Sequence, residues 1–497
     1  MREKIGFWEA FSIGVGGMIG GGIFAVLGLS VQLSKSAAPL AFLIAGIVAL
    51  ITSYSYAKLS LRFPSEGGTI EFLVKAFGTG VLSGGLNVLL LASYIVMISL
   101  YAYAFGSYGA TVFGSSPIAK HLLISAVIII FTIVNALGAV ISGETEIALV
   151  GFKLAILLAV VVAGLSFINP ERLSPSNWAD PIGIIAGGMI IFLAYEGFEL
   201  IANTAGDIEN PEILPKAFYT SVLLVIAIYV LVAVVTVGTL PYDVIVKARD
   251  YALAIVTKPS LGELGFWLVT VAALASTSSA INATLYGTAR ISYMVAKYGQ
   301  LPKSIERPVW KQAYEGLIVI SILSLIMANF ANLESISTAG SGGFLIIFLA
   351  VNISALRLRD KMKIDPVIPA LGAVLTLIAL SILILKMFEE DPTNLMIFLA
   401  LVLCSFAVEI AYRGITGRKL GDYIDHRLKI REDMIKSWRK WIGDVLRHIE
   451  AEIVGSVAEG DLDRAHDVDV VIKGKLERKI VEDLKEKYPV LDIHFEE

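Results

Sequence analysis

Gly14-Val15-Gly16-Gly17-Met18-Ile19-Gly20-Gly21-Gly22-Ile23-Phe24 places six glycines within nine residues of an otherwise apolar segment. Each glycine costs roughly 1 kcal/mol of helix propensity relative to alanine, so a continuous helix gains nothing from the run. Irregular backbone at bilayer depth is tolerated only inside protein or along a cavity. The run therefore predicts a membrane helix unwound near residue 20, with N–H and C=O groups offered to a ligand. Close helix packing is the alternative reading, because Gly16-x-x-x-Gly20 is also a helix-contact spacing.

Working outward, hydrophobic residues make up 56% of the chain, and apolar runs recur along its first 410 residues. Twelve such segments, centred near residues 20, 50, 95, 130, 157, 190, 228, 275, 322, 345, 377 and 402, approach the ~20 residues that cross a bilayer. The start, Met1 to Trp8, is short and polar, without a signal-peptide cleavage pattern. With it in the cytoplasm, that side collects roughly fifteen Lys/Arg against roughly seven opposite, the positive-inside bias. Arg290, Lys297, Lys303, Arg307 and Lys311, then Arg357, Arg359, Lys361 and Lys363, carry most of it. The expectation is a multi-pass protein of the cell membrane with both termini cytoplasmic. Its single cysteine, Cys404, falls in the twelfth segment and excludes an intramolecular disulfide. The net charge of −4 averages a membrane part and a charged tail and decides nothing.

Only the sixth segment is interrupted like the first. Gly187-Gly188-Met189-Ile190-Ile191-Phe192-Leu193-Ala194-Tyr195-Glu196-Gly197-Phe198-Glu199 puts glycine and two carboxylates well inside an apolar stretch. Interrupted segments five helices apart suggest two inverted five-helix repeats with a binding site at their interface. Segments eleven and twelve then lie outside the repeat. The expected fold class is all-α in the membrane, residues 1–412, followed by a basic linker over 413–430 and a small α+β cytoplasmic domain over 431–497.

With these residues in view, the chain resembles the amino acid–polyamine–organocation superfamily of transporters, whose members share the LeuT-type fold. Four stretches carry the resemblance: Gly14 to Phe24; Tyr56-Ala57-Lys58-Leu59 through Pro64-Ser65-Glu66-Gly67-Gly68; Ala194 to Phe198 with Asn210-Pro211 and Pro215-Lys216-Ala217; and Ser276 to Arg290, ending in Tyr298-Gly299-Gln300-Leu301-Pro302. The resemblance implies an amino-acid substrate whose α-carboxylate lies on the N–H groups of Gly20, Gly21 and Gly22, next to Ile23. Its α-amino group would meet carbonyls of both breaks, with Ala194, Tyr195, Glu196 and Gly197 on the second. Free N–H groups at a half-helix start suit a carboxylate, and unwound carbonyls suit an ammonium.

Lys153 lies in the fifth segment, where a cation costs about 2.5–3.5 kcal/mol at a helix centre and must face protein or a cavity. Some proton-coupled members of the superfamily hold a lysine there in place of a sodium ion. The resemblance thus makes Lys153 the proton-coupling residue, with Ser276, Thr277, Ser278 and Ser279 as oxygen partners. Snorkelling of the side chain to the nearby interface is the alternative. Glu196 is open to three roles: capping a broken helix end, reading a cationic substrate side chain, or relaying a proton. A neutral amino acid is the expected substrate and a cationic one the alternative; protons and the lipid bilayer complete the expected partners, and no nucleic acid is expected.

The tail reads Ile453-Val454-Gly455-Ser456, then His466-Asp467-Val468-Asp469-Val470-Val471-Ile472, then Val490-Leu491-Asp492-Ile493-His494-Phe495. This resembles the minimal nucleotidyltransferase fold of the polymerase-β superfamily. Alternation along a strand puts Asp467 and Asp469 on one face. The resemblance implies Gly455 and Ser456 around a nucleotide phosphate, and Mg²⁺ on Asp467 and Asp469 with Asp492 completing the cluster. His466 and Glu459 depart from that pattern, which usually carries serine and arginine there, and the tail is read as regulatory. Transport itself calls for no cofactor. No Walker A motif appears, against ATP-driven pumping. Two rival functions stay open at this point: an amino-acid receptor signalling through the tail, and a membrane-anchored nucleotidyltransferase.

Overall fold

The computed structural model describes residues 5–65, 67–137, 143–208, 210–302, 308–310, 313–416, 438–446, 451–454, 468–472 and 491–495. Apolar sequence becomes helix almost throughout, since in lipid each backbone polar group must be satisfied within its own segment. The first interrupted segment forms α1 (Phe7–Met18) and α2 (Gly22–Ser34), bent by 42° across the glycine run. Then come α3 (Ala38–Arg62), the short α4 (Thr69–Phe77), α5 (Val81–Ala110), α6 (Pro117–Ala136) and α7 (Gly143–Leu165). The second interrupted segment is α8 (Pro181–Ile190), a 3-10 turn over Phe192–Tyr195, and α9 (Leu200–Asn203). Beyond it lie α10 (Ile213–Thr239), α11 (Tyr242–Lys247), α12 (Ala252–Val256) and α13 (Lys258–Lys297), the last kinked at Gly262. Strands β1 (Pro308–Trp310) and β2 (Ala313–Tyr314) pair antiparallel and are a small departure from the all-α expectation. The membrane part closes with α14 (Glu315–Phe330), α15 (Leu333–Arg357), α16 (Arg359–Met362), α17 (Val367–Glu390) and α18 (Pro392–Thr416).

Nine of the described helices are long and apolar enough to cross a membrane, and the bent pair α1–α2 makes a tenth candidate. The expected centres at 190 and 322 fall instead on the shorter apolar helices α8 and α14. Burial sorts the candidates. α15 and α5 bury 78% and 72% of their apolar windows, whereas α6 and α18 bury 17%, so the first pair is interior and the second faces outward. α3 packs on α10, and α5 on α13 and α15. α1 lies against α10 and α7, while α8 sits between α2 and α3. Both interrupted segments thereby lie inside the bundle, where irregular backbone is allowed.

The chain divides into a compact membrane unit and a second unit that includes residues 421–497. In the second unit the described elements are α19 (Trp438–Leu446), β3 (Ala451–Val454), β4 (Val468–Ile472) and β5 (Leu491–Phe495). The sheet order is β3-β4-β5, antiparallel between the first two and parallel between the last two.

Candidate functional site

At the first break the backbone leaves the helix over Ile19, Gly20 and Gly21. The N–H of Ile19 still reaches Val15 O at 2.8 Å, and that of Gly20 reaches Gly17 O at 3.2 Å. Of the expected trio of N–H donors, Gly20 is thus engaged by the end of α1. The first regular bond of α2 runs from Ala25 N to Gly21 O at 2.9 Å. The N–H groups of Gly22, Ile23 and Phe24 therefore start α2 without an intrahelical acceptor, and carry the partial positive charge of that end.

The second break covers residues 191–199. Ile191 leaves α8 at φ −100°, ψ 5°, Glu196 is extended at φ −70°, ψ 144°, and Gly197 turns the chain at φ +127°. The two breaks meet backbone to backbone. A Cβ on Gly197 would lie 2.4 Å from Gly17 C and 2.5 Å from Met18 N, and one on Gly22 would lie 2.6 Å from Ala194 Cα. A Cβ on Gly20 would strike Ala280 Cβ at 2.7 Å, and one on Gly21 would enter the Tyr101 ring at 2.3 Å. The glycine run is therefore a contact surface as well as an unwound one. Packing and ligand access place the same demand on these positions.

Side chains from surrounding helices hold the exposed carbonyls. The Tyr229 hydroxyl on α10 lies 2.6 Å from Met18 O and 3.2 Å from Ala194 O, one carbonyl from each break. With a single proton it donates to one at a time. Ser276 Oγ on α13 donates to Ile19 O at 2.6 Å. Ser337 and Ser341 on α15 donate to Ile190 O at 2.5 and 3.1 Å, and Ser341 Oγ also accepts from Leu193 N at 3.0 Å. Tyr195 points away to α3, its hydroxyl donating to Phe42 O at 2.8 Å. Ile190 O is filled by its two serines, whereas the carbonyls of Met18, Ile19 and Ala194 each keep a second lone pair for an ammonium.

Two carboxylates sit here in different states. Glu199 is buried and satisfied: Oε2 accepts from Gly197 N at 2.7 Å and Oε1 from the Tyr94 hydroxyl at 3.1 Å. Glu199 thus ties down the turn at Gly197, and its side chain makes no capping bond to α9. Glu196 is 1% exposed; its oxygens accept from no N–H or hydroxyl among the described residues, and the Glu199 carboxyl lies within reach to share a proton with it.

Lys153 is 1% exposed and shares one face of α7 with buried Val150, Leu157 and Val160. That face looks into the bundle, as α7 packs against α1 and α13. Those helices are themselves joined through Ser276 and Ile19. Thr277 Oγ1 donates within α13 to Ala273 O at 2.7 Å, and Ser279 is buried on the same helix. In the tail, Asp469 and Asp492 are register partners across β4 and β5. Gly455, Ser456 and Asp467 lie outside the described residues.

Tyr229, Tyr101, Ser337 and Ser341 escape the sequence reading. A tyrosine in an apolar helix carries no local signal. For α15 a signal exists in Ser337-Thr338-Ala339-Gly340-Ser341-Gly342-Gly343, a stripe of small residues that marks close approach. A Cβ on Gly340 would indeed meet Leu193 Cδ2 at 2.8 Å.

Comparison with known proteins places the chain in a family. The amino acid permease family matches over residues 5–408. An uncharacterized protein of Methanocaldococcus jannaschii is 36% identical over 424 residues, 84% of this chain and 97% of that protein. The inner membrane transport protein YbaT of Escherichia coli is 32% identical, over 83% of this chain and 97% of its own. In fold, the chain is similar to the crystal structure of a manganese transporter from Eremococcus coleocola. The TM-score is 0.55 at 12% identity, covering 82% of this chain and 93% of that one. The chain thus belongs to the amino acid permease family, as a multi-pass membrane transporter and not an enzyme.

Proposed function

We propose that the chain is a secondary active amino-acid transporter, coupled to protons and working by alternating access. The observation that carries this reading is the meeting of two broken helices at Gly17–Gly197 and Gly22–Ala194. N–H groups at the start of α2, which lack an intrahelical acceptor, suit an α-carboxylate, and the carbonyls of Met18, Ile19 and Ala194 suit an α-amino group. Counting α8–α9 and α14 as spans gives twelve crossings of the cell membrane in an inverted five-plus-five repeat, with both termini in the cytoplasm. Lys153 is the coupling residue in this reading. Its burial on the inner face of α7, beside the helices that carry Ile19 and Ser276, supports coupling over snorkelling. Desolvation makes its protonation responsive to which side the site faces.

The tail is read as a regulatory module taking Mg²⁺ and nucleotide. Support for it is the Asp-x-Asp pattern and the register of Asp469 with Asp492. Uptake of labelled amino acids into proteoliposomes, with and without an imposed pH gradient, tests the whole reading. Wild-type uptake should rise with the gradient, and Lys153→Gln should bind substrate without responding to it. Full gradient-driven uptake by Lys153→Gln would end the coupling role, and binding without any flux would point to a receptor.

A further inference from the structure

Six basic residues converge at one end of the membrane unit. Lys58 and Arg62 stand one turn apart at the end of α3, and Arg357, Arg359, Lys361 and Lys363 run from the end of α15 through α16. The fold brings these two groups together: α16 packs on α3, and Arg62 Nε donates to Lys361 O at 3.3 Å. Like charges gathered in this way repel. The positive-inside bias asks for basic loops, but not for two basic segments laid against each other.

The acids nearby do not neutralise the patch. Asp365 Oδ1 accepts from Val367 N at 2.9 Å at the start of α17, and exposed Asp360 lies 3.6 Å from Arg359. Arg357 is turned onto the Phe77 ring, 5.0 Å from its centre, and donates to Ala76 O at 3.3 Å. Lys58 stands 5.5 Å from the centre of the Tyr54 ring. Lys58, Lys361 and Lys363 form no ion pair among the described residues.

Lys363 adds an independent sign. It closes α16 in the left-handed region, at φ 52° and ψ 47°, where glycine or asparagine is the usual occupant. A lysine held there at a conformational cost points to a use for its ammonium. Beside the charges lies an apolar surface. α17 packs along α3 and opens with Val367 64% and Leu371 46% exposed.

We propose that this patch binds the headgroup of an anionic phospholipid, its phosphate on Lys58, Lys361 and Lys363 and its acyl chains along α17. The bilayer is the source of the anion, because the charges bound the apolar spans α3, α15 and α17 and so lie at headgroup depth. The topology given above puts them on the cytoplasmic side, where anionic lipid attracts juxtamembrane basic residues. The inference holds whatever the chain carries.

The test titrates the full chain, purified in an uncharged detergent, with phosphatidylglycerol or phosphatidylcholine and counts bound lipid by native mass spectrometry. Wild type should hold phosphatidylglycerol at least tenfold more tightly, as expected where several basic residues meet one anionic headgroup. Replacing Lys58, Lys361 and Lys363 together by glutamine should remove that preference, and Lys361→Gln and Lys363→Gln, each alone on the exposed turn, should weaken it severalfold. Lys216→Gln, exposed at the start of α10, should keep it. Equal affinity of wild type for the two lipids overturns the inference. So does an unchanged preference in the triple variant or in both single ones. Displacement of the bound lipid by millimolar inorganic phosphate would overturn it in favour of a soluble anion.

Discussion

Replacing Gly197 by alanine tests the contact between the two breaks. The residue holds φ +127°, a conformation that L side chains rarely adopt, and forcing one into it costs about 1–3 kcal/mol. Its Cβ would lie 2.4 Å from Gly17 C, 2.5 Å from Met18 N and 2.8 Å from Gly17 Cα. All three are backbone atoms, so no rotamer change relieves the clash. The breaks must part by about 1 Å to restore ordinary contact distance, and overpacking of this kind costs about 1–3 kcal/mol more. The sum, about 2–6 kcal/mol, is a large share of a typical domain's 5–15 kcal/mol. Gly151→Ala is the matched control, because a Cβ there meets nothing within 4 Å and alanine suits a helix better by up to about 1 kcal/mol. Thermal unfolding of the purified proteins in detergent, followed by uptake in proteoliposomes, compares them. Gly197→Ala should unfold at a clearly lower temperature and transport at least tenfold more slowly, while Gly151→Ala matches wild type. Wild-type melting and uptake in Gly197→Ala would refute the argument that the breaks meet at this residue.

Three further outcomes follow from the geometry. Tyr229→Phe removes the hydroxyl shared by Met18 O and Ala194 O; leaving a buried carbonyl short of a donor should cost about 1–3 kcal/mol, read as a lower melting temperature and weaker substrate binding. Asp250, between α11 and α12, bonds Lys120 at 3.0 Å, Tyr103 at 3.2 Å and Arg249 at 3.3 Å. Burial pushes its carboxyl up, but the Lys120 and Arg249 charges outweigh that and hold it below the ordinary Asp range. Its stabilisation is therefore full at neutral pH and disappears as pH falls below about 4. Asp250→Asn should lose about 1 kcal/mol at pH 7 and show a flatter loss of melting temperature into acid. In the tail, Mg-nucleotide should raise the melting temperature of the full chain, and Asp467→Asn should abolish that rise; an equal rise in the variant would remove Asp467 from the site.

Both interruptions were legible in the sequence because they break a physical rule: glycine and carboxylate do not belong in a lipid-crossing helix without a reason. Gly20–Gly22 and Glu196–Gly197 mark where α1 gives way to α2 and α8 to α9. Which residues answer the freed backbone was not legible. Tyr229 and Tyr101 reach the breaks from helices distant in the chain, and such contacts leave no periodic trace. Glu196 and Glu199 look equivalent as letters. Only the turn at Gly197, which carries its N–H to Glu199, separates the acid tied to backbone from the one beside it. Lengths misled at α8 and α14, where apolar sequence suggested full spans and helices of 10 and 16 residues formed. Apolar composition reports what lipid or core accepts, not where backbone hydrogen bonding stops.

The central claim is that this chain moves amino acid and proton together through the site between the breaks. A pH-sensitive dye sealed inside proteoliposomes tests it most directly, with a mixture of amino acids added outside and no gradient imposed. The lumen should acidify in step with amino-acid entry, and not in vesicles carrying Lys153→Gln. Entry of amino acid with the lumenal pH unmoved would contradict the account.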